Sequence, residues 1–349
     1  MSRAQTRGAR RGVSVALLCT IGVAARAQGP LAFSERFAVG NSRNGESVLI
    51  ASDVGYLSPS GAVYVVDSRP SRSRRVIREY DTHGRLVRQF GDSGSAIGQF
   101  LSVTSVSFSP VGDSIYLFDP AAHRVTVMTP DGAARRAFSP AVGLNWGQTR
   151  MYRHSSGSFV FIGAAVDQRG LVHVTDGDGR HLRSFGELLE AGGAFAPTDL
   201  VRGQLMQGRV VELRGGDILV ALEAPFVAAR FSIDGRQRWL VRDGVAPNPL
   251  GRWIVQTDTT YAVGPYPRMS ALGRLGDSNF LVIVTDIERE RRVAQIRRAS
   301  DGRLIATEPM PFSSHVNETL PLAGRSTALI YTHVPAIRFI VADVAMRSR

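Results

Sequence analysis

Short apolar runs separated by Gly, Pro and Asp recur along the chain, and one stretch shows the pattern completely. Between residues 102 and 138, four runs either alternate polar and apolar positions or are continuously apolar. They are Ser105–Ser109, Ser114–Asp119, His123–Met128 and Ala133–Phe138, the last preceded by the turn Asp131-Gly132. This pattern predicts a four-stranded antiparallel meander. Such a sheet has two free edges and an apolar face, so we expect it to stack on copies of itself.

The same pattern occurs upstream at a fixed distance. Five positions of an earlier unit precede their counterparts by 52 residues: Val54, Tyr56, Val63, Tyr64 and Asp67 correspond to Val106, Phe108, Ile115, Tyr116 and Asp119. Looser units follow, with strands predicted from Gly157 to Gly186, Arg209 to Val241, Asn279 to Thr307 and Thr327 to Val344. Repetition of one meander indicates a radial or linear array of sheets.

The last unit lacks a fourth strand, while the run Leu31–Val39 near the N-terminus belongs to no unit. Pairing this run with the last sheet would close the array into a ring and cover both exposed ends. We therefore predict an all-β fold, a six-bladed β-propeller of four-stranded antiparallel blades, with an N-terminal strand completing the last blade.

Several motifs of these units resemble the NHL repeat. They are Gly98-Gln-Phe100, Ile115–Asp119, His123-Arg-Val125, Asp131-Gly132 and a closing Phe138. The resemblance implies a six-bladed β-propeller. Ser232–Trp239 also resembles a blade of quinoprotein-type propellers, which leaves seven blades as an alternative.

Residues 1–27 have the order of a secretory signal peptide. A basic region from Arg3 to Arg11 precedes an apolar run from Val13 to Ala25, and Ala25-Arg26-Ala27 has small residues where a signal peptidase cleaves. We predict cleavage near Ala27, a single propeller domain over residues 28–349, and a periplasmic or secreted protein without a transmembrane segment. The only cysteine, Cys19, lies within the apolar run. The mature chain would therefore have no disulfide, thiolate metal site or cysteine nucleophile.

Every basic residue other than histidine is arginine, with 42 Arg against 30 Asp plus Glu. Five of these arginines lie in residues 1–27, which leaves 37 Arg against 30 acidic residues in the predicted mature chain. This mild excess gives no reason to expect a specific nucleic-acid partner. We expect a protein, a glycan or another acidic ligand as partner, and a monomeric state.

Loop lengths divide the predicted propeller into two faces. Turns between the first and second and between the third and fourth strands of each blade are short, and they define the short-turn face. Connections on the opposite side are long, and they define the long-loop face, where binding residues usually lie. Two arginine runs occur there, which gives a candidate binding site of Arg72, Arg74, Arg75, Arg291 and Arg292. Arginine suits carboxylate and phosphate groups; the alternative interpretation is a solvated loop, since Glu288 and Glu290 interleave the second run.

Catalytic signatures are absent: no G-x-S-x-G, no H-E-x-x-H and, without lysine, no phosphate-binding G-x-x-x-x-G-K-[ST] occurs. The seven histidines are scattered, at positions 83, 123, 154, 173, 181, 315 and 333. We predict no cofactor and assign no catalytic or metal residue. A lactonase-like, metal-dependent hydrolase or lyase stays the alternative function. A resemblance to lactonase-type propeller hydrolases implies a divalent cation in the central channel. The candidate acids for it are Asp53, Asp199, Glu212 and Asp258.

Overall fold

Antiparallel sheets make up almost all of the described protein. The computed structural model describes residues 30–40, 54–68, 75–144, 149–163, 165, 170–187, 207–223, 226–242, 253–257, 260–263, 268–286, 291–310, 314–322, 325–332 and 338–347. These residues form β-strands and turns, and no helix among them could span a membrane. The predicted signal peptide, residues 1–27, lies outside the described residues.

The described strands form six four-stranded sheets, which we number as blades in chain order. Blade 1 contains β2 (Val54–Leu57), β3 (Val63–Ser68), β4 (Arg75–Tyr80) and β5 (Leu86–Phe90). Blade 2 contains β8 (Ser105–Phe108), β9 (Ile115–Asp119), β10 (Arg124–Met128) and β11 (Ala134–Phe138). Blade 3 contains β12 (Arg150–Arg153), β13 (Phe159–Ile162), β14 (Val172–Thr175) and β15 (His181–Phe185).

Blades 4 and 5 follow the same order, and blade 6 combines both ends of the chain. Blade 4 contains β16 (Gly208–Glu212), β17 (Ile218–Leu222), β18 (Ala228–Phe231) and β19 (Gln237–Val241). Blade 5 contains β22 (Arg268–Leu275), β23 (Asn279–Asp286), β24 (Arg291–Arg298) and β25 (Leu304–Met310). Blade 6 contains β26 (Ser314–Leu322), β27 (Arg325–Thr332), β28 (Arg338–Met346) and β1 (Leu31–Val39). Two small additions lie in long connections: the parallel pair β6 (Asp92–Ser93) and β7 (Gln99–Phe100), and the hairpin of β20 (Trp253–Thr257) and β21 (Thr260–Val263).

The ring closes as the sequence predicts. Strand β1 pairs with β28 in antiparallel register from Leu31 opposite Met346 to Val39 opposite Phe339. The six-bladed fold is therefore confirmed. Within the described residues the seventh-blade alternative is wrong, because Gln237–Val241 is the outer strand of blade 4 and forms no sheet of its own.

The inner strands of blades 3, 5 and 6, which are β12, β22 and β26, were not predicted from the sequence. An inner strand is a sheet edge that borders the central channel, so it has no need of a continuous apolar run. Strand β12, with the sequence RMYR, illustrates this, because two of its four residues are charged. By contrast the middle strands β9 and β17 are buried at every position, because both of their faces are covered by neighbouring blades.

Apolar side chains from each pair of neighbouring blades form a shared cluster. Among the described residues there are six such clusters, one for each interface around the ring. The cluster between blades 6 and 1 includes Val39 of the N-terminal strand together with Leu57 and Phe339. Burial of apolar surface between the blades, at roughly 25 cal/mol per Å², is the main stabilising term for such a ring.

A glycine–aromatic contact repeats between consecutive blades. The glycine of each third-to-fourth-strand turn has positive φ and packs against the aromatic residue that closes the preceding blade. At Gly179, with φ of +88°, an added Cβ would lie 2.5 Å from Cδ2 of Phe138. Equivalent pairs are Gly84 with Phe37, Gly132 with Phe90, Gly235 with Phe185 and Gly302 with Trp239. The Asp-Gly turns and the closing aromatics of the sequence are thus two halves of one contact, and glycine is required there for both backbone conformation and space.

Candidate functional site

A cavity of about 360 Å³ occupies the central channel, and we call it the channel cavity. Its described lining comes from the inner strands and adjoining turns of blades 1 to 5: Gly55, Tyr56, Leu57, Pro59, Ser105, Val106, Ser107, Phe108, Pro110, Arg150, Met151, Tyr152, Arg153, Ser155, Arg209, Val210, Glu212, Leu272 and Arg274. Pro59, Pro110 and Ser155 belong to turns between first and second strands. The cavity therefore reaches the short-turn face, opposite the face that the sequence favoured.

Side chains of blade 2 hold the inner strand of blade 3 in place. The Ser105 and Ser107 hydroxyl oxygens accept hydrogen bonds from the backbone N–H groups of Met151 and Arg153, each at 2.9 Å. The Thr104 hydroxyl donates to the carbonyl of Thr149 at 3.0 Å. Because the edge of β12 is thus bonded to blade 2, the backbone that presents the arginines of β12 has a defined position.

The charged residues of the lining are four arginines and one glutamate. Two of the arginines have carboxylate partners outside the lining: Arg209 lies 3.7 Å from Glu223, and Arg274 lies 3.1 Å from Asp277. These pairs reduce the positive charge that the two arginines bring to the channel.

Arg153 has a structural role between blades 2 and 3. Its guanidinium lies 4.4 Å from the ring centre of Phe159 and 5.0 Å from that of Tyr116, and it donates to the carbonyl of Gly157. A cation between two aromatic rings stabilises the interface by about 0.5–2 kcal/mol. Arg153 is therefore largely occupied in holding the two blades together.

Arg150 differs from the other three arginines. Its Nη1 donates to the carbonyl of Thr104 at 2.7 Å, and no carboxylate of the described residues forms an ion pair with it. A guanidinium has five N–H donors. Arg150 is partly exposed at the cavity wall, so its remaining donors and its uncompensated charge are available to an anion.

Glu212, the one acid of the lining, is used to join blades 3 and 4. Its Oε2 accepts a hydrogen bond from the backbone N–H of Ser155 at 2.9 Å and from the Tyr152 hydroxyl at 3.4 Å. Its Oε1 accepts from the Ser155 hydroxyl and lies 3.6 Å from Nε2 of His154. These contacts occupy both carboxylate oxygens at the wall of the cavity.

Buried histidines are satisfied by neighbouring backbone and hydroxyl groups. His154 is 2% exposed; its Nε2 donates to the carbonyl of Gly216 at 2.9 Å, and its Nδ1 accepts from the backbone N–H of Ser156 at 3.1 Å. His173 is fully buried, with Nε2 2.9 Å from the carbonyl of Gly163 and Nδ1 2.8 Å from the Ser184 hydroxyl. Both contacts agree with the interpretation that His173 is a partner-satisfied core residue.

The described lining has more cationic than anionic side chains. Of the four candidate acids of the lactonase-like alternative, Asp53, Asp199 and Asp258 lie outside the described residues, and Glu212 is bonded as above. The described residues bring no three His, Asp or Glu side chains together as a candidate metal site. Ca²⁺ and Mg²⁺ require several oxygen ligands, and the described lining offers one carboxylate, which is already hydrogen-bonded. The described lining residues therefore do not by themselves fit a divalent cation.

A second cavity, of about 370 Å³, lies between blades 4 and 5 at the short-turn face. Its three arginines are each paired with a carboxylate: Arg214 with Asp277 at 2.6 Å, which Arg274 shares, Arg230 with Asp217 at 2.8 Å, and Arg298 with Asp301 at 3.2 Å. Arginine at a cavity wall is thus insufficient by itself to define an anion site. The absence of a described carboxylate partner distinguishes Arg150 from these three.

The five arginines of the sequence-predicted site are placed as follows. Arg72 and Arg74 lie outside the described residues, and Arg75 and Arg291 are the first residues of β4 and β24 at the long-loop face. Arg292 is 7% exposed, and its Nε donates to the Thr285 hydroxyl at 3.0 Å. Burial lowers the pKa of Arg292. Its guanidinium is therefore directed into blade 5 and is unsuited to a surface contact.

Arg124 shows what an arginine at this position does in another blade. It is the first residue of β10, the counterpart of Arg75 in the repeat. Its guanidinium donates to the carbonyls of Ser95, Ala96 and Gln99, which belong to the long connection between blades 1 and 2. In blade 2 the arginine at the start of the third strand therefore supports a loop.

Arg150 was not predicted as a site residue because its strand, β12, was itself not predicted. Arg150 and Arg153 stand at the two ends of the strand and precede the turn His154–Ser158. The sequence feature that could have indicated this strand is the short segment with arginine at both ends, directly before a turn that contains Ser-Ser-Gly.

Comparisons with known proteins place the fold but no family. No family model matches the sequence, and no curated protein matches it. A candidate exported protein of Bacteroides fragilis NCTC 9343 has a similar structure, with a TM-score of 0.60 and 10% identity over 91% of this chain and 96% of that one. A DUF4221-family member from Bacteroides vulgatus ATCC 8482 gives a TM-score of 0.57 and 8% identity, over 92% and 100%. U3-55K gives 0.50 and 8%, over 90% and 98%. At such identities the likeness shows the fold alone, and the NHL-repeat assignment stays a prediction.

Proposed function

We propose that this chain is an exported binding module that takes an acidic ligand in the channel of its propeller. The observation that carries the proposal is Arg150, a partly exposed guanidinium at a cavity wall without a carboxylate partner among the described residues. A charge-assisted hydrogen bond from a guanidinium to an anion is stronger than one between neutral groups. A concave site limits the access of water, which strengthens such a contact further.

Export is part of the proposal and rests on the sequence. The basic region from Arg3 to Arg11, the apolar run and Ala25-Arg26-Ala27 occur in the order that a signal peptide requires. Intact-mass measurement of the secreted protein should give a first residue at or near Gln28.

The long-loop face is a second place at which an acidic partner could bind. Arg75 and Arg291 open the third strands of blades 1 and 5 on this face, and Arg72 and Arg74 precede the first of them. Because Arg292 is directed into the blade, the candidate binding arginines that remain on this face are Arg72, Arg74, Arg75 and Arg291. A surface of this kind would suit an extended polyanion, whereas the channel suits a small one.

Titration calorimetry at low salt separates these two sites. Citrate serves as a small anion and heparin as a polyanion. Arg150→Gln should weaken citrate binding by about 10-fold or more, since a hydrogen bond to a charged group contributes about 1.5–3 kcal/mol. Arg298→Gln is the matched control, because Arg298 is exposed and already paired with Asp301. It should leave the citrate Kd within about two-fold, as surface ion pairs contribute about 0–1 kcal/mol.

The outcomes discriminate between the two faces. The triple variant changes Arg72, Arg74 and Arg75 to Ser. If it abolishes heparin binding while Arg150→Gln leaves the Kd of both citrate and heparin unchanged, the long-loop face is the site and the channel proposal fails. If neither citrate nor heparin binds the parent protein, the acidic-ligand function is wrong. Each variant must first show the melting temperature of the parent, so that a change in Kd reports binding.

A further inference from the structure

The charged residues of the channel cavity all lie on one side. The nine lining residues from blades 1 and 2 include no charged side chain, whereas blades 3, 4 and 5 contribute all four arginines and the glutamate. We call these two sides the uncharged wall and the cationic wall. A site built in two halves of different polarity favours a ligand with two corresponding parts.

The uncharged wall presents aromatic and apolar groups to the cavity. Tyr56 and Phe108 are partly exposed, and Pro59 and Pro110 are exposed at the adjoining turns. The Tyr56 hydroxyl donates to the carbonyl of Thr104 at 2.7 Å, so its polar atom is occupied. The ring of Phe108 is supported from behind by Tyr64, at 4.9 Å between ring centres.

Thr104 connects the two walls. Its carbonyl oxygen accepts both from the Tyr56 hydroxyl of the uncharged wall and from Arg150 of the cationic wall, at 2.7 Å each. Both side chains are hydrogen-bonded to the same atom. A ligand group packed against Tyr56 and an anionic group bound to Arg150 would therefore lie close together. One small molecule can contact both walls at once.

We propose that the ligand of the channel cavity is a small amphipathic acid, with its carboxylate on Arg150 and its apolar or aromatic body against Tyr56 and Phe108. This inference rests on the proposed function and specifies its ligand class. A cavity of about 360 Å³ lies at the lower end of the range, roughly 300–1,000 Å³, of small-molecule sites. A folded partner or a branched glycan would not enter it.

A ligand series tests the inference without altering the protein. The probes are 4-phenylbutyrate, which has both parts, butyrate, which lacks the ring, and 4-phenylbutanol, which lacks the charge. Calorimetry should give a Kd for 4-phenylbutyrate about 10-fold or more below that of butyrate, because burial of the ring removes apolar area from water. The alcohol should bind about 10-fold or more weaker than the acid, because it cannot pair with the guanidinium.

Two protein variants assign the two parts of the ligand to the two walls. Arg150→Gln should remove the advantage of the acid over the alcohol, and Phe108→Ser should remove the advantage of the acid over butyrate. Val111→Ser is the control for the second change, because Val111 is 81% exposed beside Pro110 and lies outside the lining. It should leave all three Kd values within about two-fold.

Failure of this inference is distinguishable from failure of the proposed function. If butyrate binds as tightly as 4-phenylbutyrate and citrate binding still depends on Arg150, the ligand is an anion without an apolar body and the inference falls. If 4-phenylbutanol and 4-phenylbutyrate bind with equal Kd, the site recognises only apolar surface. Both the inference and the acidic-ligand function are then wrong. If Phe108→Ser fails to fold, the ligand series alone decides.

Discussion

Blades 2 and 6 have the same four-stranded sheet but are assembled differently. Blade 2 uses consecutive strands between Ser105 and Phe138, and the turn Thr129–Ala133 connects its third and fourth strands. In blade 6 the third strand ends near the C-terminus and the fourth strand is the N-terminal β1. The backbone N–H of Arg347 donates to the carbonyl of Pro30 at 3.0 Å, where blade 2 has a covalent turn. Local chemistry sets the register of blade 2, whereas pairing between the chain ends sets that of blade 6.

This difference has an energetic consequence. In blade 2 the ordering of the fourth strand requires closure of a loop of only a few residues, whereas in blade 6 it requires closure of a loop of about 300 residues, from Val39 to Phe339. The contacts that offset this entropy are visible at β1. Leu31 and Val39 are 1% and 3% exposed, and the backbone N–H of Leu31 donates to Glu308 of blade 5 at 2.7 Å. Closure of the ring therefore depends on a single strand that joins blades 5, 6 and 1.

Deletion of residues 28–40 should have the largest effect. The truncated protein would expose the edge of β28 and the apolar face that Leu31 and Val39 cover, so we expect aggregation or loss of a cooperative unfolding transition. Size-exclusion chromatography and thermal unfolding check this. A truncated protein that stayed monomeric with the parent melting temperature would show that β1 contributes little.

A circular permutant provides the control for the deletion. A short Asp-Gly turn can join Arg347 to Pro30, because these residues are already hydrogen-bonded, and the chain can be opened between residues 187 and 207. We expect the permutant to fold and to stay monomeric, since blade 6 then has the connection of blade 2. If the permutant aggregates as the deletion does, the turn is no substitute for the native chain order.

The next largest effect is expected at the turns between third and fourth strands, which blades 1 to 5 have and blade 6 lacks. Gly179→Ala should destabilise the protein by about 2–5 kcal/mol, because positive φ for Ala adds about 1–2 kcal/mol and the new methyl overpacks against Phe138. Gly112→Ala is a matched control, with φ of +75° and no atom within 4 Å of the added Cβ. It should show only the backbone part, about 1–2 kcal/mol. Denaturant unfolding measures both changes, and equal losses would mean that the added methyl at Gly179 does not overpack against Phe138.

The fold was predictable where its determinants lie close together in sequence. The middle strands, the Asp-Gly turns and the run Leu31–Val39 follow from hydrophobic pattern and turn residues, and all are confirmed. The inner strands β12, β22 and β26 were missed because charged residues interrupt the apolar pattern of strands that border the channel. The glycine–aromatic contacts could not be predicted either, because each joins two blades and involves no local pattern.

The candidate site was less predictable than the fold. Arginine runs are visible in sequence, and for that reason Arg72, Arg74 and Arg75 are predicted binding residues. Whether an arginine is free for a ligand depends on its partners, as Arg124, Arg214 and Arg292 show by bonding to carbonyls, a carboxylate and a hydroxyl. Arg150 is distinguished only by the carboxylate that its described surroundings lack, which no sequence pattern records.

The smallest effect is expected at an exposed turn of blade 1, and it should depend on pH. The backbone N–H of Arg85, then that of His83 and the Arg85 guanidinium, hold the pKa of Asp81 at about 2. An unfolded Asp has a pKa of about 3.9. Because the folded pKa is the lower one, the ionised carboxylate stabilises the fold above about pH 4, and this contribution is lost as the pH falls towards 2.

Comparison of the parent with Asp81→Asn isolates this contribution. Asn retains a side-chain oxygen for the two N–H groups but has no charge to titrate, so the variant should melt about 1–2 °C lower at pH 6. The difference should stay constant from about pH 8 to 5 and shrink below about pH 4, because protonation of the parent removes the same charge. Circular dichroism melts across this range measure it. A difference that persisted unchanged at pH 2.5 would mean that the side-chain oxygen geometry of Asp81, and none of its charge, stabilises the turn.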